Sequence, residues 1–368
     1  MKKIIILIFL LPISFLLIGQ PDQPAKHNQL DTFSGISNAQ SKLIFEKTKN
    51  LPEKSQVAFA IIRNGDISFY GIERSNDSII NCNNANNLFE IGSITKVFTC
   101  SVLANLVLNE QLNLDDSINS FLDFPLNNNI QITFKELANH TSGLPRLPSN
   151  LNLFKVDPAN PYKEYNEEKL IHYLKEEMSL SHSPGSHYEY SNLGVGLLGY
   201  ILSQIENTTY EFLLHSKIFS KYGMDKSSTI RVEASDLVKG LNQRGEVVSN
   251  WDMSVLSGAG GILSTVSDLA KFAIAQFDPV NTELALTRVN TFRQSENMEI
   301  ALGWASIKTD SGNEWYWHNG GTGGYTSSMI LDVDNKNGII VLSNVSAFSP
   351  QTGKIGELSH ELMAALAE

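Results

Sequence analysis

Ser93 and Lys96 stand three residues apart at the head of an apolar run, "IGSITKVF" (Ile91 to Phe98). Residues three apart on a helix share a face, so the two side chains can meet. A serine hydroxyl is a poor nucleophile until a base takes its proton, and an amine with a lowered pKa held beside it can do that. The pair alone is a weak signal. S-x-x-K recurs by chance, and a capping serine followed by a solvated lysine would look the same. Such a nucleophile also needs a proton donor for the leaving group and N–H donors for the oxyanion.

Two other stretches could supply them. The first is "YSN", Tyr190 to Asn192, ahead of an apolar helical run. A phenol there can shuttle a proton if a nearby ammonium pulls its pKa down. The Asn192 amide can hold a substrate carbonyl and hydrogen-bond the lysine. The second is "HNGGTGG", His318 to Gly324, between two strand-like runs. Gly320 and Gly321 would let the strand approach a ligand closely. His318, with an ordinary pKa near about 6.5, could bind a carboxylate as imidazolium.

The elements that must position these groups follow from local pattern. "VAFAIIRNGDISFYGIE" holds two β-rich runs around Asn64-Gly65, a strong hairpin signal. From Ser93 to about Leu114 the pattern turns helical, with Val97, Leu103, Leu106 and Leu108 apolar. Thr133 with Glu136 and Thr265 with Asp268 read as capping boxes. Glu167 to Met178, Leu193 to Ile205 and Ile355 to Leu366 are further helices. Short strands crowd the last hundred residues, with "DNKNG" as a second hairpin turn. The order predicts an α+β fold: one antiparallel sheet flanked by helices, built from the early hairpin and the late strands, with an all-helical region inserted between them.

Bulk composition narrows the function. The 368 residues carry a net charge of −11, from 28 basic and 39 acidic side chains. That argues against nucleic acid as a partner, which needs a basic footprint. Lys2 and Lys3 precede an uncharged run from Ile4 to Gly19, the pattern of a secretory signal over residues 1–20. An uncleaved membrane anchor is the alternative. Residues 21–40 read as a polar, unstructured lead-in, and 41–368 as the folded domain. Cys82 and Cys100 read as small buried hydrophobes rather than a disulfide. His140 reads as a structural hydrogen-bonder and Tyr188 as cleft lining. His182, His187 and His360 lack metal-ligand spacing, so neither metal nor cofactor is expected, and no G-x-S-x-G elbow is present.

Each motif alone favours its bland reading. Together and in this order, S-x-x-K, Y-x-N and H-x-G resemble the class C β-lactamase and DD-peptidase branch of the penicillin-recognising serine hydrolases. "FEIGSITKVFT", "LANHTSGLP", "PGSHYEYSNLGVGLLGYI", "GAGGILSTVSDLAKF" and "HNGGTGGYTS" extend the resemblance from about Val57 to the end of the chain. It implies a β-lactamase/transpeptidase-like fold and an exported, periplasmic or secreted enzyme acylated on Ser93. Lys96 and Tyr190 would share the base role, and Tyr190 would protonate the leaving nitrogen. Asn192 would position the substrate amide. Backbone N–H groups of Ser93 and Gly321 would form the oxyanion hole. His318 stands where class C β-lactamases usually have lysine, which puts efficient β-lactam hydrolysis in doubt. The expected substrate is a β-lactam or D-alanyl peptide. A carboxylesterase on the same fold, or a penicillin or peptidoglycan sensor that acylates without turnover, are the alternatives. Oligomeric state is left open.

Overall fold

The computed structural model describes residues 23–32, 36–231 and 236–366. The segment read as a signal, residues 1–20, lies outside the described residues.

Twelve strands are present among those residues: β1 (His27–Gln29), β2 (Gln56–Arg63), β3 (Asp66–Ser75), β4 (Ser78–Asn81), β5 (Phe89–Glu90), β6 (Leu263–Ser264), β7 (Phe292–Arg293), β8 (Met298–Ile300), β9 (Ala305–Lys308), β10 (Glu314–Gly321), β11 (Thr326–Asp332) and β12 (Asn337–Ser343). Ten of them form one sheet in the order β1-β4-β3-β2-β12-β11-β10-β9-β8-β7. The early hairpin and the late strands thus join at β2 and β12, which pair antiparallel with Ile340 opposite Ala60. Asn64 and Gly65 form the two-residue turn of the first hairpin, both with positive φ. Asp332 faces Asn337 across the second.

The central strands are apolar on both sides, because both faces are covered. Along β2, Ala58, Ala60 and Ile62 face one core, and Val57, Phe59 and Ile61 face the other. Along β12, Ile340 and Leu342 alternate in the same way with Ile339 and Val341. The longer helices are α1 (Asn38–Thr48), α2 (Thr95–Leu108), α3 (Asn192–Ile205), α4 (Val266–Gln276) and α5 (Thr352–Ala364). Helices α1 and α5 pack together on one face, joined by Lys47 to Glu357 (2.8 Å) and Glu361 (2.6 Å). Helix α4 lies against β2 and β12 on the other, with α2 in the larger core that includes the inserted region.

That inserted region runs from α2 to the turn before β6, and among the described residues it contains no named strand. Its entry and exit are tied by a short ladder, Phe89 opposite Ser264 and Glu90 opposite Leu263. The Thr133–Glu136 capping box forms with both reciprocal bonds. Thr265 accepts from the Asp268 N–H, but the return bond is missing. The Asp268 carboxylate instead takes the Lys226 N–H and the Ser227 hydroxyl.

Three expectations are corrected. The lead-in is not unstructured throughout: β1 pairs in parallel with β4, His27 opposite Ser78, and Ser37 caps α1 in a full capping box. The helix expected to reach about Leu114 ends at Leu108, because Glu110 turns into the left-handed region (φ 57°) and the Gln111 N–H closes back on the Leu106 carbonyl. The Glu167 helix passes into a single π turn at Tyr173–Glu177.

Phe98 is fully buried in α2 and packs on Phe272 (ring centroids 4.4 Å apart) and Phe219 (6.1 Å). Phe98→Ala should cost about 3–5 kcal/mol by cavity formation. Phe154→Ala, at a side chain 94% exposed, should stay within about 0.5 kcal/mol of the parent. Urea unfolding of both variants checks the contrast.

Candidate active site

Lys96 sits in the first turn of α2 and is wholly buried. Ser93 precedes it in a 3-10 turn, Gly92–Ile94, and does not cap the helix. Its hydroxyl is therefore left to Lys96 and Tyr190. The Lys96 Nζ lies 3.0 Å from Ser93 Oγ, 2.9 Å from Asn192 Oδ1 and 2.7 Å from the Ala259 carbonyl oxygen. The last two can only accept. A neutral amine has two N–H donors and one lone pair. It can donate to Asn192 and Ala259 and turn its lone pair on the Ser93 hydroxyl. Burial, with the positive charge of Arg146, pushes the Lys96 pKa well below that of an ordinary lysine, which favours this neutral form. The amine is then a base before any substrate arrives.

Tyr190 hydrogen-bonds Ser93, and Lys96 Nζ lies 4.9 Å from its ring centroid. Its pKa moves opposite to the expectation. Burial pushes the phenol up to about 12, outweighing Ser93 and Arg146, which pull it down. Tyr190 therefore rests as the phenol, suited to give a proton rather than to take one. The shared base role divides: Lys96 fits the base and Tyr190 the acid. His140 buttresses this tyrosine. Its ring lies tilted against Tyr190, with centroids 4.4 Å apart, and its Nδ1 accepts the Ser191 N–H at 3.1 Å. The structural reading of His140 fits these contacts.

Asn192 opens α3, and its backbone N–H donates to the Arg146 carbonyl at 3.0 Å. With Oδ1 occupied by Lys96, its NH₂ is the part that can meet a substrate carbonyl.

The third motif ends β10. Gly320 and Gly321 pair with Ser327 and Thr326 of β11, whereas the ladder to β9 stops at Trp317 opposite Ala305. From His318 onward β10 has a sheet partner on one side only, and its other edge can take an extended substrate by strand addition. Gly320 must be glycine: a Cβ there would lie 2.0 Å from the Ile91 carbonyl oxygen and 2.9 Å from the Ser93 nitrogen. Gly92, at φ +52°, would place a Cβ 2.5 Å from the Gly321 nitrogen. These contacts set the Gly92–Ser93 turn against the Gly320–Gly321 backbone, the two segments that carry the expected oxyanion donors. The Ser327 hydroxyl pins it by donating to the Ile91 carbonyl at 2.8 Å.

His318 does not carry the charge expected of it. Burial foremost, then Lys96, pushes its pKa down to about 3. Its Nδ1 lies 2.6 Å from the Asn319 carbonyl, so this nitrogen must hold the proton and donate. The remaining Nε2 offers a lone pair, which repels a carboxylate. His318 instead walls a pocket with His140, Tyr188, Tyr190, Trp304 and Trp317. Cys82 and Cys100 are both free thiols, and Cys100 is buried in α2.

This geometry coincides with a family match. A family model described as Beta-lactamase covers residues 47–358. The chain belongs to the β-lactamase family. It is 26% identical over 287 residues to penicillin-binding protein 4* of Bacillus subtilis (strain 168), covering 70% of this chain and 61% of that protein. It is 24% identical over 256 residues to a β-lactamase of Pseudomonas fluorescens, covering 67% of this chain and 68% of that one. The chain thus spans about two thirds or less of the length of these curated relatives. Among solved structures, the octameric penicillin-binding protein homologue of Pyrococcus abyssi superposes with a TM-score of 0.76 at 23% identity, over 89% of this chain and 77% of that chain. A β-lactamase/D-alanine carboxypeptidase of Pseudomonas syringae gives 0.73 at 21% identity, over 89% and 99%. The fold is the β-lactamase/transpeptidase fold.

Arg146 escaped the sequence reading. Its guanidinium carbon lies 5.2 Å from the Tyr190 ring centroid. The only sequence signal was its position just after "HTSGLP", three residues beyond Gly143.

Lys96→Ala and Tyr190→Phe should each lose on the order of 10²-fold in kcat/KM, the scale of general acid–base help. As one unit they should be non-additive, the double variant little worse than the poorer single. The pH profile carries the sign. The neutral amine is the active form, so kcat/KM should fall as pH drops through the depressed Lys96 pKa. The phenol near about 12 should leave no basic limb in the working range. KM for a carboxylate substrate should stay flat through pH 5–8, because His318 does not titrate there. A KM that rises with a midpoint near 6.5 would return the charge to His318.

Proposed function

We propose that this chain is an exported serine hydrolase that forms an acyl-enzyme on Ser93 and cleaves D-alanyl-peptide or β-lactam amide bonds. The observation that carries the reading is the Lys96 amine, set 3.0 Å from the Ser93 hydroxyl with its N–H groups directed to Asn192 and Ala259. The family and its penicillin-binding and D-alanine carboxypeptidase relatives support the substrate class. Export rests on Lys2, Lys3 and the uncharged run that follows.

In this mechanism Lys96 takes the Ser93 proton as Oγ attacks the carbonyl carbon. The oxyanion settles between the N–H groups of Ser93 and Gly321, while the Asn192 amide holds the substrate's own amide. Tyr190 gives its proton to the departing nitrogen, and the Lys96 ammonium then returns a proton to the phenolate. Water then enters by the reverse proton path and releases the acid. Neutral His318 favours peptide or ester turnover over efficient β-lactam hydrolysis.

A carboxylesterase is the second reading. It is favoured by the aromatic pocket of Tyr188, Trp304 and Trp317 beside Tyr190, which suits an apolar leaving group. Purified protein assayed against nitrocefin, a D-alanyl-D-alanine peptide and a short-chain p-nitrophenyl ester ranks the readings. The peptide should turn over fastest, and ester turnover alone would favour the second. Ser93→Ala should abolish covalent labelling by a tagged penicillin, read by mass spectrometry. Undiminished label on that variant would remove Ser93 as nucleophile.

A further inference from the structure

A second cleft, of about 300 Å³, opens at the start of β10, between the short helix Thr282–Thr287 and the turn from β11 to β12. It shares no residue with the pocket beside Tyr190. Arg288 lines one side and is half-buried. Its Nη1 is taken: it donates to Gln276 Oε1 and, at 3.2 Å, to the Leu284 carbonyl. Its guanidinium carbon lies 5.8 Å from the centroid of the Tyr316 ring. The Nε and Nη2 groups make no hydrogen bond among the described residues, and neither is closed off from solvent. Those two carry the parallel N–H bonds of a guanidinium's side-on fork, which takes a carboxylate by two bonds.

Asp334 lines the other side, exposed on the turn after β11. Its carboxylate has neither a hydrogen bond nor an ion pair among the described residues. It closes no salt bridge with Arg288, yet its charge acts on both Arg288 and Tyr316. The Glu314 carboxylate is occupied. It accepts from Ser306, from Asn290 at 3.0 Å and from the Tyr316 hydroxyl at 3.1 Å, which holds the ring against the guanidinium. Ala285, Val289 and Val333 add apolar lining.

We propose that this cleft binds a free α-amino acid with a small apolar side chain, its carboxylate on the Nε–Nη2 fork of Arg288 and its ammonium on Asp334. A lone anion there meets the field of Glu314 and Asp334, and a lone cation meets that of Arg288. A zwitterion satisfies both ends at once. The reaction proposed above releases a molecule of this class, but the binding claim does not depend on that reading.

The test titrates the isotope-labelled full chain with DL-alanine and follows backbone NMR shifts. Shifts are expected at Arg288–Asn290 and Val333–Asn335, saturating together. N-acetylalanine keeps only the carboxylate, and alaninamide only the ammonium. Each should bind at least about tenfold more weakly, the scale of losing a hydrogen bond to a charged group. Asp334→Asn, at an exposed side chain without partners, should weaken DL-alanine by a similar factor and should not weaken N-acetylalanine. Arg288→Lys keeps the charge but loses the fork, and should weaken both ligands. Equal affinity for DL-alanine and alaninamide would remove the carboxylate site. Equal affinity for DL-alanine and N-acetylalanine would remove the ammonium site. Either result overturns the proposal. So would an unchanged affinity in Asp334→Asn, or shifts confined to His318–Gly321, which would put alanine beside Ser93 instead. Ser93→Ala should bind DL-alanine in this cleft as the parent does, so the cleft is judged separately from the hydrolase reading.

Discussion

A lysine amine buried in protein must be satisfied or neutral; Lys96 has acceptors for its N–H groups, and its burial favours the neutral form. An ammonium in a low-dielectric site is costly, so burial moves the equilibrium toward the amine. Two carbonyl-type acceptors, from Asn192 and Ala259, then take its two N–H bonds and leave one direction for Ser93. The three partners come from three separate elements: the start of α3, the turn before β6, and the turn before α2 itself. Much of the architecture meets at that nitrogen. The short ladder between β5 and β6 closes the inserted region so that Ser93 and Ala259 stay in register.

The sheet supports the second requirement of the proposed mechanism, an oxyanion site. Its donors are backbone N–H groups, so their placement depends on how closely two chains approach. The end of β10 meets the Gly92–Ser93 turn with no room for a Cβ at Gly92 or Gly320. Strands β2 and β12 are apolar on both faces, and Met329, Ile330 and Leu331 continue both cores along β11, which holds the sheet rigid between them. A site on such a scaffold is preorganised, and that is where electrostatic stabilisation of a transition state comes from.

The acid and base were distinguished only by their surroundings. Lys96, Tyr190 and His318 cluster at one site, and desolvation acts on each according to its charge when ionised. It lowers the two bases and raises the phenol. The lysine becomes a usable base, the tyrosine remains an acid, and the histidine loses the cationic role that its residue type suggested.

Much was legible from the amino acids in order. Hairpins at Asn64-Gly65 and "DNKNG", the Thr133 capping box and the α+β order follow from rules that act over a few residues. So do the motifs around Ser93, Tyr190 and His318, since each is a local arrangement of side chains and turn chemistry. The tertiary structure alone decided the rest. It ended α2 at Leu108, gave β1 a parallel partner in β4, and turned Asp268 away from its capping box toward Lys226 and Ser227. It set the protonation of Lys96, Tyr190 and His318, and it brought Arg146 to Tyr190. The physical reason is common to these cases. Desolvation and long-range contact depend on which atoms surround a group, and those atoms come from elements far apart in the chain.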